Sequence, residues 1–361
     1  MPLTHPNSIL PLPVWLTAGD EPLIIAGPCS VESREQLMAT ARGIKAIGRV
    51  KVFRAGIWKP RSRPGQFEGK GAEALPWLKQ VKHETGMLMA VEVARPDHAL
   101  QCLEHGVDII WLGARTTVNP FMVQEIANAI KGSGIPVMIK NPVSPDLHLW
   151  IGALERISLA GSNKLIAIHR GFKTHEQTLY RNIPLWDIPL ALKKEVPSLP
   201  VICDPSHIAG KRQWVGEVAA KAMWLGMDGL MIEVHPDPDN ALTDPLQQLT
   251  PAGFAGILDN LPANNQIRSE ELLREVRMRI DENDDKLLEL LSKRMGLSAE
   301  IGLLKKQFGE QVVQPSRQKQ IFEDRLKKGT GLGLDHEFVK TFLELLHEAS
   351  VVIQKKNFEH E

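Results

Sequence analysis

Residues 23–30 read LIIAGPCS, an apolar run of strand length that stops at Gly-Pro and hands over to a cysteine and a serine. The same design returns as VKVFRAG (50–56), MLMAVEV (87–93), DIIWLGA (108–114), PVMIKNP (136–142), LIAIHRG (165–171), PVICDPS (200–206) and GLMIEVH (229–235), with helical patterns between them. Near-continuous apolar strands alternating with helices belong to a parallel sheet covered on both faces. Eight such units fill residues 23–258, and no glycine-rich dinucleotide fingerprint opens the first. The pattern therefore predicts an α/β chain built as a closed (β/α)8 TIM barrel rather than an open doubly wound sheet.

The strand ends, or the loops just after them, carry Cys29, Arg54, Glu92, Arg115, Lys140, Arg170, His207 and Glu233. Any one of these could be a satisfied ion pair or a core histidine. A full set in phase with the barrel repeat places the site on the C-terminal rim, where barrel enzymes assemble their chemistry. Arg54, Lys59, Arg61, Arg115, Lys140 and Arg170 form a cationic group suited to small phosphorylated or carboxylated substrates, because the arginine fork matches both anions. Cys29, His207, Glu233, His235 and Asp244 are possible metal ligands. A thiolate, an imidazole and carboxylates suit a divalent transition ion (Mn2+ or similar) better than Mg2+, which avoids sulfur. The plain alternative for Cys29, and the reading given to Cys102 and Cys203, is a small buried hydrophobe.

GPCSVES (27–33), FRAGIWKPRS (53–62), GARTT (113–117), IKNP (139–142), HRGF (169–172), DPSH (204–207) and IEVHP (232–236) follow one another in order. As a set they resemble the short-chain 3-deoxy-D-arabino-heptulosonate 7-phosphate (DAHP) synthases over about residues 20–258. The resemblance implies one metal ion per barrel, held by Cys29, His207, Glu233 and Asp244. It implies phosphoenolpyruvate on Arg115, Lys140 and Arg170 with Arg54 nearby, and erythrose 4-phosphate on the Lys59-Pro60-Arg61-Ser62 motif. Glu92 joins this substrate-binding set, and Lys140 is the expected proton-handling residue. The chain departs from the family pattern at Arg63, where a small polar residue is commoner, and at His169, where the family has Glu before Arg-Gly. Related enzymes making 3-deoxyoctulosonate phosphate carry an asparagine-bearing motif where this chain has KPRSR.

Past Leu258 the barrel pattern stops, giving expected domains of 1–258 and 269–361 joined by a polar linker, 259–268. Residues 269–307 hold no proline and predict one long helix. On it Arg277, Ile280, Asp284, Leu287, Leu291, Arg294, Ser298, Ile301 and Lys305 step by three and four onto one seam. Cations on an apolar seam either snorkel to solvent or meet a buried dianion. Arg294 and Lys305 are about 16 Å apart along the helix and can converge, whereas Arg277, about 26 Å from Arg294, must serve a site on a second chain. That spacing predicts an intertwined homodimer, with higher assemblies left open. A second helix from Pro315 sets Arg317 in its first turn, and a third, about 335–356, aligns Leu346, Ser350 and Gln354.

From LREVRMRIDENDDKLLELLSKR through LLKK and QPSR to SVVIQ, this segment resembles the all-helical chorismate mutases. The resemblance implies chorismate bound by Arg277 of the partner chain, Arg294, Lys305, Arg317, Ser350 and Gln354. Arg294, Lys305 and Gln354 are the expected catalytic groups. Gln314 and Gln318 stand where the family has acidic residues; Gln318 is expected to bond the ring hydroxyl. The rival reading makes the helices a non-catalytic module that dimerises the chain and senses prephenate or chorismate. The fusion itself leads to the expectation that prephenate inhibits the barrel.

Bulk composition agrees with small-molecule enzymology. The 361 residues balance 43 basic against 43 acidic side chains. Net charge thus gives no support to nucleic-acid or membrane-surface binding. The first residues lack a basic n-region, and an odd cysteine count with no disulfide framework suits a reducing, cytoplasmic setting.

Overall fold

The computed structural model of the protein describes residues 9–16, 21–61, 63–174, 178–261 and 269–359. It divides into two compact units, Met1–Gln266 and Ile267–Glu361. The expected linker, 259–268, lies mostly outside the described residues.

The first unit is a closed barrel of strands in the order β1 to β8. They are β1 (Leu23–Gly27), β2 (Val52–Ala55), β3 (Leu88–Val93), β4 (Ile109–Leu112), β5 (Val137–Lys140), β6 (Leu165–His169), β7 (Val201–Cys203) and β8 (Gly229–Glu233). All neighbours pair in parallel, and β8 closes on β1 with Gly27 opposite Glu233. Each apolar run of the sequence supplies one strand.

The period-two alternation of a strand sorts the side chains into two cores. Leu23, Ile25, Val52, Ala90, Ile109, Trp111, Met138, Ile166, Ile168, Ile202 and Met231 fill the barrel interior. A short helix, Leu12–Trp15, adds Leu12 to that cluster, and Leu16 follows it. Ile24, Phe53, Val91, Ile110, Ile139, Ala167, Val201 and Ile232 join the outer cluster against the surrounding helices. Continuing the inward parity by one step on each strand gives Gly27, Arg54, Glu92, Gly113, Lys140, Arg170, Asp204 and Glu233. The barrel thus changes from hydrocarbon to charge at a single layer. Two of the inward positions are glycines for a steric reason. A Cβ on Gly27 would stand 2.0 Å from the Arg54 carbonyl oxygen, and one on Gly113 2.2 Å from Glu92 Oε1.

The second unit is three helices, Ser269–Phe308, Pro315–Gly331 and His336–Glu359. The first, of 40 residues, runs for about 60 Å. It ends at Gly309, whose φ of 69° is the left-handed conformation of a helix C-cap, and the Glu310 amide returns to the Lys305 carbonyl at 2.8 Å. The third helix packs on both the first and the second. At Gly329 a Cβ would fall 2.8 Å from Val339, so the missing side chain lets the second and third helices approach.

Candidate active sites

The charged layer of the barrel forms the floor of a cavity of about 390 Å3 on the C-terminal rim. Lys59, Arg61, Arg115, Lys140 and Arg170 line it, as the sequence leads one to expect. Lys173 and Arg181, which the sequence reading passed over, line it too. So many cations facing one cavity of this size suit polyanionic small molecules.

Backbone and side-chain partners hold several of these cations. Arg115 Nη1 donates to the Pro60 carbonyl at 3.2 Å and Arg61 Nε to the Phe67 carbonyl at 3.0 Å, which fixes the loop after β2. Arg170 Nη1 donates to Asn182 Oδ1 at 3.1 Å, and its amide to Asn141 Oδ1 at 2.7 Å. Burial brings the Arg170 guanidinium down to about 10. Lys59 Nζ lies 3.4 Å from Glu92 Oε2. Burial alone would raise the Glu92 carboxyl, but Lys59 and then Lys140 hold it below its usual range.

Arg54 takes a different place from the other cations. It is fully buried beneath the cavity, 3.0 Å from Glu233 Oε1, with its guanidinium over the Trp111 ring. Ser62 lies outside the described residues, and Arg63 is exposed. His169 points away from the cavity, as its strand parity requires, with its ring beside Phe172 and Trp186.

Cys29, Glu233 and Asp244 bring a sulfur and two carboxylate oxygens within 4.8 Å of one another. His207 lies beside this group, with Nε2 3.8 Å from Glu233 Oε1. Of the five possible ligands read from the sequence, His235 stands apart, 3.6 Å from Glu32. Two carboxylates crowd a buried thiol here, and burial followed by the Glu233 charge pushes that thiol far up. A divalent cation would relieve this arrangement, and its soft–hard donor mixture fits a transition ion. The loop after β8 is stitched in place by Gln248 Oε1 accepting from the Cys29 amide at 2.9 Å and by Gln247 Nε2 donating to Glu233 Oε2 at 2.6 Å.

Asp204 is the residue that the sequence reading missed most plainly. It is fully buried at the inward position of β7, with Lys140 Nζ 2.7 Å and His207 Nδ1 2.8 Å from its Oδ2. Its Oδ1 caps the short helix Pro205–Ala209 by accepting from the His207 amide at 3.1 Å. Burial draws the Lys140 ammonium below its usual range while Asp204 opposes that shift. Inward parity on β7, applied to the DPSH segment, is the signal that finds Asp204. No local signal picks out Arg181, which reaches the site across a loop.

In the helical unit, Arg294 donates through Nη1 to Ser350 Oγ. Lys305 Nζ donates to Gln354 Oε1 at 3.2 Å and to the Val312 carbonyl at 2.6 Å. Ser298, Ser350 and Gln354 are buried. The first and third helices thus bring these expected groups together. Arg317 is exposed and bonds Gln320 Oε1 at 3.1 Å, and Arg277 is exposed with no neighbour in this set among the described residues. Gln314 donates to Glu310 Oε2 at 3.1 Å, and the Gln318 side chain lies outside the description.

Comparison with known proteins follows the same division. The family model described as DAHP synthetase I family matches residues 11–265, and the one described as chorismate mutase type II matches residues 276–355. A phospho-2-dehydro-3-deoxyheptonate aldolase of Thermotoga maritima is 35% identical over 63% of this chain, and the match spans 64% of that relative's length. A 2-dehydro-3-deoxyphosphooctonate aldolase of Magnetococcus marinus is 29% identical over 70% of this chain and 90% of its own. Among solved structures, a DAHP synthase from Thermotoga maritima superposes with a TM-score of 0.60 at 34% identity, covering 66% of this chain and 67% of that one. A truncated form of the Thermotoga maritima synthase gives 0.57 at 31%, covering 66% and 84%.

Proposed function

The chain belongs to the DAHP synthetase I family, and from that membership we propose that its barrel condenses phosphoenolpyruvate with erythrose 4-phosphate, while its helical unit rearranges chorismate to prephenate. The observation that carries the first half is the meeting of a thiol, an imidazole and two carboxylates at the floor of a cavity walled by lysines and arginines.

Arg115, Lys140 and Arg170 bind phosphoenolpyruvate and orient it, and Lys59 with Arg61 takes the second phosphate. Fixing both reactants in one geometry turns a bimolecular encounter into an intramolecular one. The surrounding cations oppose the charge that develops as the carbon–carbon bond forms. Cys29, His207, Glu233 and Asp244 would hold a divalent metal, which when bound would supply Lewis-acid polarisation of the aldehyde or of a water. Lys140 handles the proton, supported by an ammonium that burial has already weakened. Retained condensation in Lys140→Met would remove that role.

The test is an assay of the full-length protein with phosphoenolpyruvate and each aldose phosphate, with and without chelator. Condensation with the four-carbon aldose phosphate, lost on chelation and restored by Mn2+, is the expected result. A preference for a five-carbon aldose phosphate would instead align the chain with its octulosonate relatives.

A pericyclic rearrangement needs no nucleophile, only a held conformer and cations at the developing oxygen charge. Arg294, Lys305 and Gln354 provide those, with Arg317, Gln318 and Ser350 as further contacts and Arg277 supplied by a second chain. A homodimer through the helices follows, supported by the large exposed side chains Ile280, Leu287, Leu297 and Ile301 on the long helix. Sedimentation at micromolar protein checks it. Prephenate feedback on the barrel is the regulatory reading, supported by the covalent fusion, and condensation kinetics indifferent to saturating prephenate exclude it. None of the described helices is long and apolar enough to cross a membrane, and three free buried cysteines suit a cytoplasmic location.

A further inference from the structure

Asp204 has two carboxylate oxygens with separate duties. Oδ1 caps a helix through the His207 amide at 3.1 Å. Oδ2 is left for two functional side chains, standing 2.7 Å from Lys140 Nζ and 2.8 Å from His207 Nδ1. The guanidinium of Arg54 is 4.0 Å from the same oxygen. A helix cap requires only the first oxygen. The second joins an anion-binding lysine on β5 to an imidazole whose other nitrogen faces Glu233.

Resting on the functional reading above, we propose that Asp204 couples the two subsites, so that phosphoenolpyruvate on Lys140 tightens the cation held by His207, and the reverse. Lys140 and His207 compete for one oxygen. When an arriving anion draws the Lys140 ammonium away, more of the Oδ2 charge falls to the imidazole Nδ1, 2.8 Å away. With that carboxylate charge turned toward its Nδ1, the imidazole is a better donor through its remaining nitrogen, the effect that a carboxylate behind a metal-bound histidine exerts generally. By linkage, a cation on Nε2 polarises Nδ1–H toward Asp204 and releases Lys140 to its anion by the same factor. Asp204 is thus a positioning residue: it touches neither reactant, and its effect on each subsite passes through another side chain.

The experiment is Mn2+ binding to the full-length protein, followed by the resonance signal of free Mn2+, with and without saturating phosphoenolpyruvate. The wild-type protein should bind Mn2+ about fivefold or more tightly when phosphoenolpyruvate is present. Asp204→Asn keeps a capping oxygen but puts an amide where Oδ2 was. It should weaken Mn2+ about tenfold or more and abolish the response to phosphoenolpyruvate. Equal Mn2+ affinity with and without phosphoenolpyruvate in the wild type overturns the proposal. So does an unchanged response in Asp204→Asn, which would mean that the two ligands attract each other directly. If Asp204→Asn does not fold, Lys140→Gln is read instead: it leaves Oδ2 to His207 alone and should bind Mn2+ at least as tightly as the phosphoenolpyruvate-loaded wild type. Weaker binding than that overturns the proposal. Failure of the wild type to bind either Mn2+ or phosphoenolpyruvate is a different result, and it removes the functional reading itself.

Discussion

Arg181 Nη1 stands 3.0 Å from Asp244 Oδ1 and 2.8 Å from Gln247 Oε1, so one guanidinium ties the loop after β6 to the loop after β8. Asp244 has a φ of 46°, an uncommon conformation for a non-glycine residue that needs outside support. Burial would raise its carboxyl, yet Arg181 and then His207 keep it far below the usual carboxylate range. In Arg181→Met the Asp244 carboxylate, the proposed ligand, should wander, weakening Mn2+ about tenfold. Folding stability should fall by less than about 1 kcal/mol, because the pair is partly exposed. Mn2+ titration beside a urea melt separates the two effects.

Gly113→Ala should damage substrate binding through Glu92. Its Cβ would lie 2.2 Å from Glu92 Oε1, and the carboxylate must swing off Lys59 to make room. The Michaelis constant for the aldose phosphate should rise by about tenfold or more, with a stability loss of about 1–3 kcal/mol from overpacking. An unaltered Michaelis constant would separate Lys59 from aldose phosphate binding.

His169 should leave a mark on acid stability. Burial brings its imidazole from the ordinary 6.5 to about 3 in the folded chain. Above pH 6.5 both folded and unfolded chains hold it neutral, so it contributes no slope. As pH falls below 6.5 the unfolded chain takes up the proton first, and stability drops until about pH 3, by up to about 1.4 kcal/mol per pH unit. Stability curves of the wild type and His169→Gln should diverge across that window and run parallel above it.

Arg294→Ala should lower kcat/KM for chorismate by about 10²–10³-fold, the usual loss when one charge-stabilising donor is removed. Condensation by the barrel serves as the internal control and should be unaffected at saturating substrates. Equal losses in both reactions would instead point to misfolding.

Much of this was legible from residue types and their spacing. All the strands lie where the apolar runs of residues 23–235 put them, and the long helix spans the proline-free stretch and stops just before Gly309. Those features depend on local periodicity, which the sequence states directly. The site divides differently. Cys29, Lys140, Arg170 and Glu233 sit at or just past strand ends and could be read from their shared phase with the barrel repeat. Asp204 hides behind its ordinary role as a helix cap, because its partners are 64 residues away in the chain for Lys140 and three for His207. Arg54, expected beside the substrate, lies in the same charged layer, fully buried against Glu233, a depth that its sequence position does not state. Arg181 depends on how two loops meet, which no strand or helix period encodes.

Because the charged layer of the barrel is built from inward strand positions, the barrel treats insertions and deletions very unequally. A loop beyond the rim can change length without turning a floor residue. One residue added within β5 would exchange Lys140 for Ile139 at the inward position. The same single step in β7 would replace Asp204 with Cys203. Strand length here is therefore under chemical as well as structural constraint. Natural and engineered variation in this barrel should accumulate as loop-length changes, with the strands kept in frame.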